Sequence, residues 1–145
     1  MVNYVLLLIL AILGGVAITL QGQFMGLMDQ GIGTKESVFI TYGGGGLLIT
    51  LIFFATGGGN WRAWEQVPWY AFSAGLLGLL IVGTIGYVVP RLGLAPGFTL
   101  IVAAQFLLAA LIDHFGLLGA AARSLDLTRG LGLAVMLLGV WLIMR

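Results

Sequence analysis

Long runs without a charged side chain dominate this sequence, and they decide what the chain can fold into. The first extends from Tyr4 to Met28. A helix rises about 1.5 Å per residue, so roughly 20 apolar residues cross a hydrocarbon core of about 30 Å. Charged residues make up only 8% of the 145 positions, whereas soluble domains carry about 25%. The chain therefore has too few charges to cover a water-facing surface, which predicts an integral membrane protein.

Polar clusters, glycines and prolines divide the chain into five apolar segments. Gly57 to Asn60 follow the second segment, and Trp61, Trp64 and Trp69 gather at the entrance of the third, where aromatic residues at headgroup depth are expected. We predict an all-α integral membrane protein with a single transmembrane domain, residues 1–145. Its predicted spans are about 4–28, 37–56, 67–89, 94–112 and 127–144.

Three residues are predicted to mark helix ends. Thr34 and Asp126 have side chains suited to the N-cap positions of the second and fifth helices. Pro90 is predicted to end the third helix, since proline lacks a backbone N–H group.

The basic residues are evenly divided between the two faces of such a five-helix chain. Three would lie on one side (Arg62, Arg123 and Arg129) and three on the other (Lys35, Arg91 and Arg145). Orientation normally follows an excess of Lys and Arg on the cytoplasmic side, and here neither side has one. Either the tie is chance in a chain with few charges, or the chain inserts both ways. Dual insertion predicts an antiparallel homodimer, a ten-helix bundle that is the unfused form of an inverted repeat.

Glutamines inside the apolar segments are the first candidates for a binding site. Gln21 and Gln23 lie late in the first segment, and Gln105 lies near the middle of the fourth. An amide facing lipid is costly, so each is expected either to join helices or to line a wet cavity. We predict that Gln21 and Gln105 line a cavity. Gln23, Thr41, Tyr42 and Tyr87 are further candidates for its lining.

Ionisable residues are absent from the middle of every predicted span. Asp113 and His114 stand together at the end of the fourth. They could carry a proton for coupled transport, since imidazole titrates near neutral pH. The alternative is a structural role, either capping the helix end or pairing with a neighbour such as Arg91. A cavity without a central charge favours a neutral, zwitterionic or amphipathic substrate.

Other chemistries find no support in the sequence. There is no cysteine and only one histidine, so we expect neither a metal site nor a cofactor. The net charge of +1 gives no basic patch for nucleic acid. The glycine run Gly43 to Gly46 lacks the Lys-Ser or Lys-Thr that follows a phosphate-binding loop. No enzymatic activity is predicted.

Several short motifs are shared with a known family. They include Pro90-Arg91-Leu92-Gly93, Ala104-Gln105, the segment 113–119 (DHFGLLG) and Arg129-Gly130-Leu131-Gly132. With these motifs the whole chain resembles the YdcZ-type family of the drug/metabolite transporter superfamily. The resemblance implies a five-helix half-transporter that works as a dual-topology homodimer, as an oppositely oriented pair, or fused into a ten-helix chain. One departure is Met25, where the resemblance implies an asparagine; Gln23 lies nearby.

Taken together, these features predict a multi-pass transporter of the bacterial inner membrane. Two antiparallel copies would enclose a cavity lined by Gln21 and Gln105 of both chains and would carry a small molecule by alternating access. The expected partners are the lipid bilayer, a second copy of the chain and the substrate. Two alternatives remain open, a channel built on the same dimer and a membrane subunit that transports nothing itself.

Overall fold

The computed structural model describes residues 4–145, and all regular secondary structure in that range is helical. Within the bilayer each backbone N–H must find a partner inside its own segment, and a helix provides one. The all-α expectation is confirmed. The α-helices are α1 (Tyr4–Ile32), α2 (Thr34–Ala55), α3 (Ala74–Leu92), α4 (Leu94–Phe115) and α5 (Leu127–Ile143). Short 3₁₀ helices span Trp61–Gln66, Trp69–Ser73 and Leu117–Gly119.

Four helical stretches are long and apolar enough to cross a membrane. Three of these are α1, α2 and α4, and the fourth is α3 together with the 3₁₀ turn before it, Trp69–Leu92. The fifth helix, α5, is equally apolar but has only 17 residues, or about 25 Å of helix. The chain is thus a helical membrane protein with four full-length spans and one shorter one among its described residues.

Glycines form the tightest connections between the helices. Gly33 alone separates α1 from α2 with φ +100°, and Gly93 alone separates α3 from α4 with φ +94°. Side chains other than glycine rarely adopt this backbone conformation. For that reason Gly33, and not the predicted Thr34, occupies the N-cap position of α2. Thr34 is the first helical residue, and its hydroxyl donates to the Asp29 carboxylate instead.

Pro90 does not end the third helix as predicted, because α3 continues to Leu92. The residue stands within the last turn and cannot donate to the Gly86 carbonyl oxygen, but only two helical residues follow it. Its ring lies beside Gly26 of α1, where an added Cβ would be 3.7 Å from Pro90 Cβ. The proline therefore packs against α1 through its side chain.

Residues 1–91 form one compact unit, and its core is small. Met25 of α1 is only 1% exposed and approaches Gly86 of α3. Ser37 of α2 is completely buried, and its hydroxyl donates to the Met25 carbonyl oxygen at 3.1 Å. Small residues at such contacts allow close approach of helix backbones, which is the main source of packing energy between membrane helices.

Residues 92–145 form the second compact unit. Gly116 ends α4 in the left-handed conformation, with φ +61°. Asp126 begins α5, and its carboxylate accepts from Arg129 N at 2.8 Å, which confirms the predicted N-cap. Ala103 of α4 and Val140 of α5 are the buried hydrophobic residues of this unit.

Candidate functional site

A groove of about 380 Å³ lies between α1 and α2 and contains two of the predicted site residues. Gln21 is exposed in it, and Thr41 is half-buried. The groove thus places an amide and a hydroxyl in an otherwise apolar wall. Its remaining lining is Ala17, Leu20, Phe24, Met25, Met28 and Ile40.

Met25 occupies the position at which the family resemblance implies an asparagine. Its side chain is almost fully buried, and its terminal methyl group lies near Gly86. Here the residue acts mainly as a packing contact between α1 and α3. Polar lining of the groove therefore comes from Gln21 and Thr41 rather than from position 25.

The other two candidate glutamines, Gln23 and Gln105, lie outside this groove. Gln23 is exposed on α1 and is not part of the lining that contains Gln21, since two residues correspond to about 200° around a helix. Gln105 is exposed on α4, and neither groove between α4 and α5 includes it. Of the three candidate glutamines, Gln21 is thus the one found in the lining of these grooves.

Tyr42 connects two helices. Its hydroxyl donates to the Gly75 carbonyl oxygen at 2.9 Å, and it occupies the space beside Gly78 where a Cβ would otherwise stand. The side chain is 37% exposed. Tyr42 thus holds α2 against the start of α3.

A larger groove of about 840 Å³ lies between α2 and α3. Tyr87 lines it, together with Thr84 and Lys35. The remaining walls are apolar apart from Thr34 and come from residues that include Val38, Leu76, Leu80 and Val88. The groove thus sets one ammonium group and several hydroxyl groups beside an apolar wall.

Asp29, Arg91 and Tyr87 form a polar cluster that the sequence analysis did not predict. Arg91 Nη1 lies 3.0 Å from Asp29 Oδ2 and donates at 2.6 Å to the Tyr87 carbonyl oxygen. The same guanidinium stacks over the Tyr87 ring, 3.8 Å from its centroid. Arg91 thus pairs with Asp29. The sequence feature that could have indicated this pair is that Asp29 and Arg91 each stand at the end of an apolar segment.

Asp113 and His114 hold the loop that follows α4. The Asp113 carbonyl oxygen accepts from Arg123 N at 2.7 Å, and His114 Nδ1 accepts from Leu125 N at 3.1 Å. The His114 ring also meets Phe115 edge to face, with 4.7 Å between centroids. The His114 side chain thus has a structural role at the helix end, whereas Asp113 takes part in these contacts through its backbone only. Whether the pair also carries a proton stays a prediction.

A groove of about 440 Å³ between α4 and α5 brings together charged residues from three places in the sequence. Asp113 comes from α4, Arg123 from the loop, and Arg129 from the first turn of α5. The rest of the lining is Phe106, Ala110, Leu125, Gly132, Leu133 and Met136.

Comparison with protein families places these features in context. The model of one family, described as "Putative inner membrane exporter, YdcZ", matches residues 6–142. The chain belongs to the YdcZ family. This membership agrees with the predicted resemblance and makes the chain a multi-pass protein of the inner membrane. The family description is that of a transporter rather than an enzyme.

A comparison with curated proteins gave no match, and neither did a comparison with solved structures.

Proposed function

We propose that this YdcZ-family chain is one half of a small-molecule transporter that works by alternating access as an antiparallel homodimer. The observation that carries the proposal is the groove between α1 and α2, in which Gln21 and Thr41 supply polar groups within an apolar wall. A few polar groups in an apolar concavity are typical of sites for small, weakly polar ligands. In the assembled dimer, Gln21 and Gln105 of both copies line the transport cavity.

The antiparallel arrangement is supported by the even division of basic residues, three on each side of the chain. Neither orientation is then favoured on insertion. Two oppositely oriented copies reproduce the inverted repeat of many transporters, in which the two halves rock around a central site.

A glycine-rich stretch of α2 supports contact with a second copy. At each position from Gly43 to Gly46, an added Cβ would meet nothing within 4 Å. This part of the helix is therefore free for another helix to approach closely, the kind of contact that stabilises helix pairs in lipid.

The substrate class follows from the groove lining. Gln21 and Thr41 offer hydrogen bonds but no fixed charge, so a strongly charged substrate would lose its hydration without compensation. A neutral, zwitterionic or amphipathic molecule fits this lining.

Transport in reconstituted vesicles tests the proposal. A panel of neutral, zwitterionic and amphipathic compounds is first screened for thermal stabilisation of the purified protein, and the best stabiliser is used for flux. Saturable flux is expected, and Gln21→Leu combined with Gln105→Leu should abolish it while the dimer remains intact. The matched control is Gln30→Leu, which removes an exposed amide from α1 outside the groove.

Full flux in the double variant would refute the site assignment. Unitary currents in single-channel recording would refute alternating access in favour of a channel.

A further inference from the structure

The groove that contains Asp113, Arg123 and Arg129 has two basic groups without an acidic partner. Among residues 4–145, the one ion pair within 4.0 Å joins Arg91 to Asp29. The guanidinium of Arg129 makes one long hydrogen bond, 3.4 Å to the Ser124 carbonyl oxygen. The lining itself holds two arginines and one aspartate, while the Asp126 carboxylate, outside the lining, accepts from the backbone N–H of Arg129 at 2.8 Å.

The charged residues lie at one end of the groove, and the other end is apolar. Asp113 stands near the end of α4, and Arg129 stands in the first turn of α5. Both positions are at helix ends, where polar headgroups begin. Away from them the walls are formed by Phe106, Leu133 and Met136.

A second groove of about 360 Å³ continues along the same pair of helices. It shares Met136 with the first groove and extends to Phe98 on α4 and Ile143 on α5. From Asp113 to Phe98 the distance along α4 is about 22 Å at 1.5 Å per residue. One leaflet of the hydrocarbon core is about 15 Å deep. The two grooves together are therefore longer than the path of one acyl chain.

We propose that the two grooves between α4 and α5, together called the seam, form a phospholipid-binding site. The phosphodiester lies between Arg123 and Arg129, since planar guanidinium groups bind phosphate oxygens well. An acyl chain follows Phe106, Leu133 and Met136 toward Val140. Asp113 accepts a hydrogen bond from the headgroup, which selects lipids whose headgroup carries a hydroxyl or an ammonium donor. Basic pockets between membrane helices are known binding places for anionic headgroups.

Two glycines of α5 allow a matched test of the proposed site. Gly132 lines the groove, and an added Cβ there would meet nothing within 4 Å. Gly130 has the same open space but does not line the groove. Gly132→Leu therefore places a side chain in the acyl-chain path with a Cβ that meets none of the protein's own atoms, and Gly130→Leu applies the same change outside it.

The measurement is the rise in melting temperature when phosphatidylglycerol is added to the delipidated, detergent-purified protein. Wild type and Gly130→Leu are expected to rise equally, and Gly132→Leu to lose most of the rise. Arg123→Gln combined with Arg129→Gln should weaken apparent lipid affinity roughly 30-fold, because each basic residue contributes about fivefold to headgroup binding. Arg62→Gln removes an exposed arginine elsewhere and should leave the affinity unchanged.

Phosphatidylcholine with the same acyl chains, which offers Asp113 no donor, should stabilise the wild type less. Inorganic phosphate, which lacks the acyl chain, should not stabilise it measurably. Equal shifts for Gly132→Leu and Gly130→Leu would overturn the proposal, as would an equal effect of inorganic phosphate. If Gly132→Leu instead dissociates a dimer and leaves the lipid shift intact, a second copy of the chain occupies the seam and the lipid site is wrong.

Discussion

Arg91 and Asp29 are separated by 62 positions in the sequence, yet their side chains meet at 3.0 Å and join the end of α3 to the end of α1. The Asp29 side chain is 7% exposed, whereas that of Arg91 is 47% exposed. The Thr34 hydroxyl donates to the same carboxylate. This cluster therefore fixes three helices of the first unit at one end.

Replacing Asp29 should destabilise the protein. Asp29→Asn removes the charge that Arg91 faces, and we expect a loss of about 1–2 kcal/mol, since one partner is half exposed and screened by solvent. Thermal unfolding in detergent, followed by tryptophan fluorescence, measures the loss. Glu65→Gln neutralises an exposed carboxylate in the 3₁₀ helix Trp61–Gln66 and is the control. Equal melting temperatures for the two variants would show that the ion pair contributes nothing.

The effect of Gly78→Ala on stability should change sign when Tyr42 is replaced by phenylalanine. Gly78→Ala alone displaces the Tyr42 hydroxyl and breaks its hydrogen bond to Gly75, a loss of about 1 kcal/mol. In a Tyr42→Phe background the hydroxyl is gone, and the ring atom Cζ is 3.4 Å from the added Cβ. There Gly78→Ala should stabilise by up to about 1 kcal/mol through helix propensity.

A double-mutant cycle on unfolding free energies measures this coupling. Gly83→Ala, on the same helix with nothing within 4 Å of the added Cβ, should have the same effect in both backgrounds. Additivity of Tyr42→Phe and Gly78→Ala would contradict the contact.

The N-cap of α5 gives a third prediction. Asp126→Ala leaves Arg129 N without its acceptor and should cost about 1 kcal/mol, whereas Asp126→Asn should retain the cap. Thermal unfolding compares the two variants. If alanine and asparagine have equal effects, the hydrogen bond has no energetic role at this position.

Single lysines should bias the orientation of the chain. Asn60→Lys adds a positive charge on the side of Arg62, and Gln30→Lys adds one on the opposite side; both native residues are exposed. If function needs both orientations, each variant alone should lose transport, and co-expression of the two should restore it. Labelling of a single cysteine introduced at a terminus, which is possible because the chain has no native cysteine, reports the orientation of each variant. Full activity of both variants alone would rule out the antiparallel dimer.

The features that the sequence predicted well are those that depend on residues close together in the chain. The apolar runs predicted the helices, and Asp126 directly before an apolar segment predicted its cap. The pairing of Arg91 with Asp29 was not predicted, because it depends on how α1 and α3 pack. Thr34 has the side chain of a cap, but the single-residue turn at Gly33 requires a positive φ that threonine rarely adopts.

Of the candidate site, the sequence identified which polar residues are costly in lipid but not which of them share a groove. Gln21 and Gln23 are the same residue type in the same apolar segment, and only the helix geometry places Gln21 beside Thr41. The basic groove of the second unit was not predicted either. Its residues come from α4, the loop and α5, and only the folded loop brings Arg123 close to Asp113.

The short length of α5 makes bilayer thickness a property that this protein has to accommodate. With 17 residues it covers about 25 Å, whereas α1, with 29 residues, covers about 43 Å. A hydrocarbon core of about 30 Å is thicker than the length of α5 and thinner than the length of α1. We therefore expect α1 to tilt and the lipid to thin around α5. Thicker membranes relieve the mismatch at α1 and increase it at α5. We therefore expect acyl-chain length to alter how well these two helices fit the bilayer without any change in the sequence.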